Sequence, residues 1–315
     1  MKKIVVTGGA GFIGSTIVRR LLVEYPSAEI VIIDNLSTGK EENLEEIKDK
    51  ITFIKADIRD FDSIKDYFKN ANLVFHEAAL PSVPRSINEP ILSHTTNIDG
   101  TFNVFLAAKE GGVKRIVYAA SSSAYGNTDE LPKKEHFQPK PLSPYAVQKL
   151  VGEYYGQAFK NVFGIEVVSL RYFNVFGPRQ DPSSAYAGVI PIFSKSIING
   201  TPPTIFGDGN HTRDFTFVDN IVDLNILAAK AEAPRHSVYN GGTGNRYSLT
   251  HVWETMKKIS GSDIKETYTG VARDGDVLDS QADITLATQD LGYNPKIGLE
   301  EGLKITLEWY RKNLK

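Results

Sequence analysis

The sequence predicts an α/β fold in which a doubly wound parallel sheet is joined by a smaller, interleaved C-terminal lobe. Three observations lead to this prediction. Short apolar segments typical of strands alternate with helical segments through residues 1–175. A glycine-rich stretch directly follows the first strand. After residue 176 proline and glycine become frequent, as in GPRQDP and NGTPPTIFGDGN, and the alternation weakens, which indicates a second lobe over most of residues 176–315.

The predicted strands are short runs rich in β-branched residues, as expected for a sheet covered on both faces. In chain order they are KKIVVTG, AEIVIIDN, ITFIKADI, NLVFHEAA, VKRIVYAASS and IEVVSLRYFNVFG. The predicted helices are residues 12–24, the short SIKDYFK, residues 90–111 and the long SPYAVQKLVGEYYGQAFKNVFG. SVYNGGTG predicts one more strand near residues 237–241, which we expect to return to the main sheet.

Composition excludes several classes of protein. The chain has 36 Lys and Arg against 38 Asp and Glu, a balance that argues against a general nucleic-acid binder. No apolar run has transmembrane length, and glycines interrupt the apolar N-terminal segment, so we expect a soluble cytoplasmic protein with no membrane partner. The absence of cysteine excludes disulfides and thiolate chemistry. The six histidines are scattered, so no metal site is predicted.

The glycine-rich stretch GGAGFIG has the spacing of a phosphate-binding loop. Gly8, Gly11 and Gly14 form the pattern G-x-x-G-x-x-G between the first strand and the first helix. Such a loop needs a tight turn, a bare backbone beside a pyrophosphate, and close packing of helix on strand. The helix that follows supplies free N–H groups and the positive end of its dipole. Glycines also serve ordinary turns, so the loop alone is weak evidence.

A carboxylate strengthens the prediction of a dinucleotide. Asp34 ends the second strand, twenty positions after Gly14, where an acid can accept both ribose hydroxyls. A carboxylate there repels a 2′-phosphate, which favours NAD over NADP. The alternative is that Asp34 is only a turn residue beside Asn35. Asp57 and Ile58 end the third strand, where the adenine is expected, although Asp57 could also be a turn residue.

Tyr145 and Lys149 are the candidate proton-transfer pair. They lie at positions i and i+4 of a predicted helix and therefore share one face. Ser143 and Pro144 are typical of the start of that helix. A phenol is a poor base at neutral pH, but a nearby ammonium group stabilises the phenolate. The pattern Y-x-x-x-K also arises by chance on many helices, and its position downstream of the glycine loop is what gives it weight.

These motifs, together with the serine cluster SSSAYG, resemble the extended short-chain dehydrogenase/reductase family, and the resemblance covers essentially the whole chain. LRYFNVFGPRQ, GDGNHTRDFTFVDN and RDGDV are similar to segments of its nucleotide-sugar epimerases and dehydratases. The resemblance implies a Rossmann-type sheet, NAD as the cofactor and a UDP-sugar as the substrate.

It also implies a homodimer, formed through the helices of residues 90–111 and 145–163. Both helices carry more apolar residues than one core-facing stripe requires, and such a surplus of apolar surface suggests an interface. These residues are Phe102, Val104, Phe105, Val147, Leu150, Val151, Tyr154 and Tyr155.

The resemblance also implies individual roles. Ser121, four residues before Tyr125, is the expected proton-relay hydroxyl beside Tyr145 and Lys149; Ser122 and Ser123 remain candidates, and all three serines could instead be turn residues. Tyr172 and Phe173 are expected near the nicotinamide. The predicted cofactor-binding residues are Gly8, Gly11, Phe12, Ile13, Gly14, Asp34, Asn35, Ser37, Thr38, Gly39, Asp57, Ile58, Ala78, Ala79, Leu80, Asn97, Tyr145, Lys149 and Tyr172. The predicted substrate-binding residues are Ser82, Ser122, Ser123, Asn174, Val189, Ile190, Lys195, Gly207, Arg213, Arg273, Asp276 and Ser280.

The serine cluster also bears on the type of reaction. Dehydratases of the family carry Thr-Asp-Glu at this point, whereas this chain has no carboxylate there, which leaves C4 epimerisation through a transient 4-keto sugar. Ser280 lies where members restricted to glucose and galactose tend to carry Tyr, so we expect room for an N-acetyl group. Three alternatives stay open: a UDP-glucuronate epimerase, a decarboxylase, and a non-catalytic sensor that binds NAD or RNA. For Arg213 and Arg273 we favour ligand binding, because both lie in glycine-rich loops of the second lobe; the alternative is a surface ion pair with the adjacent Asp214 or Asp274.

Overall fold

The computed structural model describes residues 1–183, 187–271 and 277–314 of the chain. In these ranges the strands are β1 (Lys3–Thr7), β2 (Glu29–Asp34), β3 (Thr52–Lys55), β4 (Leu73–His76), β5 (Arg115–Ser121), β6 (Glu166–Tyr172), β7 (Val175–Phe176), β8 (Thr204–Ile205), β9 (Thr212–Arg213), β10 (Thr216–Phe217), β11 (Val238–Gly241), β12 (Tyr247–Ser248) and β13 (Thr267–Tyr268). The helices are α1 (Phe12–Glu24), α2 (Phe61–Ile64), α3 (Val83–Asn88), α4 (Pro90–His94), α5 (Gly100–Glu110), α6 (Pro144–Phe163), α7 (Val189–Asn199), α8 (Val218–Lys230), α9 (Leu249–Ser260), α10 (Thr285–Leu291) and α11 (Leu299–Asn313).

Seven of these strands form one parallel sheet in the order β11-β6-β5-β4-β1-β2-β3. From β1 the chain first builds outward through β2 and β3, then returns to place β4 on the other side of β1. The strand order therefore reverses between β1 and β4. In open α/β sheets, ligands bind beyond the carboxyl ends of the strands at such a reversal. This architecture confirms the predicted α/β class with a doubly wound parallel sheet.

Both faces of the sheet are covered, which explains why its strands are apolar almost throughout. Along β1, Ile4 and Val6 point into one core cluster and Val5 points into the other. The first cluster packs under α1 and α8, and the second packs under α5 and α6. The helices on the second face carry the candidate catalytic pair, and the loop that opens α1 carries the candidate phosphate site.

The second lobe is built from helices α7, α9 and α11, which pack together, and from short two-stranded pairings. β8 pairs with β13, β9 with β12, and β7 with β10. Strand β11 comes after much of this lobe in the chain, yet it lies beside β6 at the end of the main sheet. The division of the chain at residues 175 and 176 into two lobes stays a prediction.

The apolar residues assigned to an interface divide into two groups. Val104 and Phe105 are completely buried in the second core cluster, and Leu150 is 9% exposed, so these three pack within the molecule. The prediction that they add to surplus apolar surface is therefore wrong. Val147 and Tyr154, two turns apart on α6, are 44% and 55% exposed. The helix predicted over residues 90–111 is also divided, because a π-helical turn over Thr95–Asp99 separates α4 from α5.

Candidate active site

A deep cleft of about 540 Å³ lies along the carboxyl ends of the sheet strands, at the reversal between β1 and β4. Its walls come from the loop between β1 and α1, the ends of β2, β4, β5 and β6, the start of α6, and the second lobe. A cleft of this size, with polar groups from several elements converging on it, is the default candidate for a ligand site.

The glycine loop leaves its backbone bare at the base of the cleft. Gly8 has φ +71°, and a Cβ there would lie 2.6 Å from the backbone nitrogen of Ala78. A Cβ on Gly14 would lie 2.2 Å from the carbonyl oxygen of Gly8. Helix α1 begins after Gly11, and no side chain caps its first N–H groups. The loop therefore combines the close packing and the free helix N-terminus that a pyrophosphate needs.

Asp34 lies buried at the end of β2 with its carboxyl group at the edge of the cleft. One carboxyl oxygen accepts from the N–H of Ala10 at 3.0 Å and the other accepts from the N–H of Leu36 at 2.8 Å. Burial raises the pKa of Asp34, and these two N–H groups oppose the rise. Each oxygen retains a further lone pair that can accept a ribose hydroxyl. With the bare glycine loop, this carboxylate fits the predicted NAD.

Asp57 is placed differently from Asp34. It accepts from the side-chain amide of Asn35 at 2.9 Å and pairs with the Arg59 guanidinium at 2.8 Å. The Arg59 hydrogen bond is the main reason that the pKa of Asp57 falls to about 2. Asn35 and Ile58 line the cleft, whereas Asp57 does not. Asp57 thus stands behind Asn35 and orients it.

Helix α6 carries Tyr145 into the cleft. Ser143 caps the helix by accepting from the N–H of Ala146 at 3.2 Å, and Pro144 occupies the first turn. The backbone N–H of Tyr145 donates to Ser86 of α3 at 3.1 Å, which holds the start of the helix against its neighbour. Burial raises the pKa of Tyr145 to about 12, and a hydrogen bond with the Ser121 side chain opposes the rise.

Lys149 lies one turn further along α6 and is only 3% exposed. Its ammonium group sits over the Tyr118 ring, 4.9 Å from the ring centroid. Burial lowers the pKa of Lys149 to about 8, while the charges of Glu77 and Glu153 oppose the fall. We expected the ammonium of Lys149 to lower the pKa of Tyr145. In the structure the group that lowers this pKa is Ser121, and burial outweighs it.

The three serines lie where β5 ends and a 3₁₀ turn over Ser122–Tyr125 begins. Ser121 caps this turn: its hydroxyl accepts from the N–H of Ser123 at 3.2 Å and from the hydroxyl of Ser123 at 2.9 Å. Ser121, Ser122 and Ser123 all line the cleft, and Ser121 is the one that hydrogen-bonds with the Tyr145 phenol. The turn-forming role and the contact with Tyr145 thus belong to the same residue.

The structure brings most of the predicted residues together around the cleft. Those that line it are Gly8, Gly11, Phe12, Ile13, Gly14, Asp34, Asn35, Ser37, Thr38, Ile58, Ala78, Ala79, Ser82, Ser121, Ser122, Ser123, Tyr145, Lys149, Tyr172, Asn174, Arg213 and Ser280. Predicted residues that do not line it are Gly39, Asp57, Leu80, Asn97, Val189, Ile190, Lys195 and Gly207. Arg273 and Asp276 lie outside the described residues.

Two of the residues away from the cleft surface, Gly39 and Asn97, support groups at or next to the cleft. A Cβ on Gly39 would lie 2.9 Å from the Asp34 carboxyl, so glycine lets this loop approach. The Asn97 side chain accepts from the N–H of Leu80 at 2.8 Å, just after the cleft residues 78 and 79. Phe173, expected at the nicotinamide, is instead completely buried in a small cluster with Tyr125. The expectation for Phe173 is therefore wrong.

Several cleft residues were not predicted from the sequence. They include the charged residues Lys40, Glu77, Arg85, Arg179 and Asp181. Lys40 and Asp181 form an ion pair at 3.3 Å, and Arg85 pairs with Glu89 at 3.3 Å. Glu77 directly follows the carboxyl end of β4, and this position was the available signal, since such ends border the site in a parallel sheet.

Within residues 1–183, 187–271 and 277–314, no three His, Cys, Asp or Glu residues lie together as ligands for a metal ion. No helix in those ranges is long and apolar enough to cross a membrane.

Comparisons with known proteins agree with this site. The sequence model of the NAD dependent epimerase/dehydratase family matches residues 4–242. A UDP-glucose 4-epimerase of Mycolicibacterium smegmatis is 39% identical over 97% of both chains. The solved structure of UDP-N-acetylglucosamine 4-epimerase from Methanobrevibacter ruminantium, in complex with UDP-N-acetylmuramic acid, is 40% identical, with a TM-score of 0.93 over 99% of both chains. That of UDP-glucuronic acid 4-epimerase from Bacillus cereus, with UDP-glucuronic acid and NAD, is 32% identical, with a TM-score of 0.90 over 98% of this chain and 99% of that one.

The matches confirm the resemblance drawn from the motifs and the prediction of NAD as the cofactor. They span nearly the full length of the relatives, so they include the second lobe as well as the main sheet. On this evidence the chain belongs to the NAD-dependent epimerase/dehydratase family.

Proposed function

We propose that this NAD-dependent UDP-sugar 4-epimerase interconverts UDP-N-acetylglucosamine and UDP-N-acetylgalactosamine, and also UDP-glucose and UDP-galactose. The reaction passes through a transient 4-keto sugar. The observation that supports the acetylated substrates is that Ser280 lines the cleft with a buried hydroxyl that has no hydrogen-bond partner among the described residues. The likeness to an N-acetylglucosamine 4-epimerase agrees with it.

Ser280 offers an unused hydroxyl inside the cleft. It lines the cleft and is 6% exposed, and its backbone N–H donates to the carbonyl of Thr212 at 3.0 Å. Its hydroxyl oxygen is buried and has no hydrogen-bond partner among the described residues. A buried hydroxyl without a partner is costly, and an acetamide on the sugar would supply one. The small side chain also leaves room that a tyrosine ring would fill.

Proton transfer is assigned to Ser121, Tyr145 and Lys149. The glycine loop and Asp34 would hold NAD, which would supply a reversible hydride acceptor for C4 of the sugar. Tyr145 takes the proton of the C4 hydroxyl and gives it back, and Ser121 hydrogen-bonds with the Tyr145 phenol. The ammonium of Lys149, one turn away on α6, favours the phenolate. The carboxyl-free serine turn is consistent with epimerisation rather than elimination of water.

The remaining predicted residues are assigned to binding. The glycine loop and Asp34 would hold the pyrophosphate and the ribose of NAD, and the other predicted cofactor residues would complete that half of the cleft. Asn174 and Arg213 line the opposite half and would contact the UDP diphosphate. The roles of Val189, Ile190, Lys195 and Gly207 toward the uridine, and of Arg273 and Asp276, stay predictions.

A UDP-glucuronate 4-epimerase is the second candidate. Arg85 lines the cleft three residues after Ser82, at the start of α3, and a guanidinium group there could bind a uronate carboxylate. Arg85 already pairs with Glu89, however, so its charge is partly neutralised. We therefore rank this candidate below the acetylated hexoses.

Turnover of a panel of UDP-sugars by the purified protein tests the proposal. We expect both the acetylated and the plain hexoses to react, because extra room rejects a smaller sugar only weakly. Ser280→Tyr should reduce the acetylated reaction by about tenfold or more while sparing the plain reaction. Ser280→Thr, which keeps the hydroxyl, is the matched control. If both reactions of the tyrosine variant fall together, or neither changes, Ser280 does not select the substrate. Preferred turnover of UDP-glucuronate would favour the second candidate.

Assembly as a homodimer is part of the proposal. Ile91 on α4 is 79% exposed, and α4 packs against α6, which carries the exposed Val147 and Tyr154. Exposed apolar side chains on two adjacent helices suit a self-complementary contact. The cytoplasmic location predicted from the sequence is retained as part of the same proposal.

A further inference from the structure

Glu77 occupies a central position in the cleft for which the sequence suggested no role. It directly follows β4, and its N–H donates to the carbonyl of Thr7 on β1 at 3.1 Å. It therefore stands at the reversal of the strand order, next to the glycine loop. Its side chain lines the same cleft as Tyr145 and Lys149. A carboxyl group at this point can influence whether Tyr145 and Lys149 are protonated.

The hydrogen bonds around Glu77 fix its orientation. The side-chain amide of Asn225, on α8, donates to the Tyr172 hydroxyl at 2.7 Å and to the carbonyl of Ile221 at 2.8 Å. The Tyr172 hydroxyl in turn donates to a carboxyl oxygen of Glu77 at 2.9 Å. This chain runs from an amide through a phenol to a carboxylate. Glu77 is thus held as an acceptor, by a neutral partner that leaves its negative charge uncompensated.

Two carboxylates among the described residues, Glu77 and Glu153, raise the pKa of Lys149, and they have different partners. Glu153 forms a bidentate ion pair with Arg171, at 2.9 and 2.7 Å, so its charge is already balanced. Glu77 has no cation within ion-pair distance among the described residues. Lys149 likewise forms no ion pair there. By elimination, Glu77 is the carboxylate that lines the cleft with Lys149 and has no cation of its own among the described residues.

We infer that Glu77 is a positioning residue of the catalytic centre: its carboxylate supplies the negative charge that keeps Lys149 protonated while Tyr145 exchanges a proton with the substrate. This inference rests on the proposed roles of Tyr145 and Lys149. Without Glu77, only the already paired Glu153 would oppose the effect of burial, which favours the neutral form of the lysine. A neutral amine cannot stabilise a phenolate one turn away.

The surrounding titratable groups are consistent with this role. Burial raises the pKa of Glu77 to about 7, and the Tyr172 hydrogen bond and the charge of Lys149 oppose the rise. From its own strand, His76 stays neutral near pH 7, because burial lowers its pKa to about 3. From β6, burial raises the pKa of Tyr172 far above its usual range. Glu77 and Lys149 are therefore the groups at this point whose charges change near neutral pH.

The experiment compares Glu77→Gln with Glu77→Asp in the NAD-loaded protein. The glutamine accepts the Tyr172 hydrogen bond but has no charge, whereas the aspartate keeps a charge. We expect the activity of the wild type to fall at alkaline pH as Lys149 loses its proton. With glutamine this alkaline limit should move to lower pH by about half a unit or more, and with aspartate it should stay closer to the wild type. An unchanged limit in the glutamine variant would overturn the inference.

A second measurement does not depend on turnover. The infrared signal of a protonated carboxyl group, taken as the difference between the wild type and Glu77→Gln, should titrate near pH 7. A carboxyl group that stays protonated well above neutral pH would overturn the inference, because Glu77 would then carry no charge while Lys149 is protonated. If the wild type reacts with no UDP-hexose, the proposed function fails, and this titration still decides whether Glu77 carries the charge. Thermal unfolding of each variant shows whether a loss of activity comes from a loss of fold.

Discussion

Arg171 and Glu153 form a bidentate ion pair, with distances of 2.9 and 2.7 Å, in which the two side chains are 4% and 3% exposed. Arg171 lies on β6, and Glu153 lies on α6, two turns after Tyr145. The guanidinium also stacks over the ring of Tyr125, 4.5 Å from its centroid. Tyr125 closes the serine turn. One buried pair therefore joins the helix that carries the proton-transfer residues, the strand behind it and the turn that carries Ser121.

Removal of one member of this pair should destabilise the protein strongly. Arg171→Met leaves the carboxylate of Glu153 buried without a partner, and we expect a loss of about 3–5 kcal/mol in the free energy of unfolding. Urea unfolding at saturating NAD measures it, because bound cofactor adds its own stabilisation. The double variant Arg171→Met/Glu153→Met buries no charge and should lose less than the single variant. A single variant that loses under ~1 kcal/mol would show that the pair contributes little.

The Tyr145→Phe variant tests the proton carrier. It keeps the ring and removes the hydroxyl, so epimerisation should fall by ~10²-fold or more. Circular dichroism and the NAD content of the purified protein should stay unchanged, since the glycine loop, Asp34 and the other predicted cofactor-binding residues are retained. Tyr154→Phe, the same substitution on an exposed side chain of the same helix, is the control. Near-normal turnover of the Tyr145 variant would contradict the assignment.

The serine turn allows a matched comparison within one cluster. Ser121→Ala removes the hydrogen bond that lowers the pKa of Tyr145, so this pKa should rise further. A base works only when deprotonated, so the acidic limit of the rate should move to higher pH, with a loss of ~10-fold or more at neutral pH. Ser123→Ala removes a donor to Ser121 and a predicted substrate contact but leaves the Ser121 hydroxyl in place, so the pH profile should stay closer to that of the wild type. Equal losses in the two variants, without a change of pH profile, would show that Ser121 serves only the turn.

The parts predicted well from the sequence are those with a local physical signature. The glycine spacing requires a bare loop, and in the structure a Cβ at Gly14 would collide with Gly8. The acid twenty residues later lies at the end of β2 beside that loop. The alternation of strands and helices predicts the parallel sheet, because each strand needs cover on both faces.

The parts that were wrong or missed depend on which way a side chain faces. Tyr172 and Phe173 are consecutive at the end of β6, and successive side chains of a strand point to opposite sides. Tyr172 therefore faces the cleft and Phe173 packs behind it, so both could not meet the nicotinamide. Glu77 was missed because an acid after a strand is equally typical of a turn. Only the tertiary contacts with Tyr172 and β1 distinguish it.

An ion pair across the cleft should help to retain the cofactor. Lys40 and Asp181 pair at 3.3 Å, and each belongs to an anchored loop: the N–H of Lys40 donates to the carbonyl of Ala10 at 3.0 Å, and Tyr310 donates to the carbonyl of Gln180. Exposed pairs contribute about 0.2–1 kcal/mol, so Lys40→Ala should weaken NAD binding only about 1.5- to 5-fold.

The salt dependence of NAD dissociation distinguishes the loss of the Lys40–Asp181 ion pair from a nonspecific disturbance of the structure. The difference between the wild type and Lys40→Ala should shrink at high salt, since screening removes the interaction that the variant lacks. The double variant with Asp181→Ala should bind as the single variant does, because only one interaction is lost. Asp34→Ala should weaken binding more than either, because it removes the ribose contact itself. Additive losses in the double variant would mean that the two residues act separately.

Substitution of the exposed apolar face tests the proposed dimer. Val147→Asp puts a charge on the exposed apolar face of α6, and burying that charge in a contact between two copies would be costly. We expect light scattering to show a dimer for the wild type and a monomer for this variant at micromolar concentration. Val23→Asp is the matched control: Val23 is 76% exposed on α1, on the opposite face of the sheet, and its replacement should leave the dimer intact. A monomeric wild type would contradict the proposal. Dissociation of both variants would mean that charge alone, rather than this face, governs association.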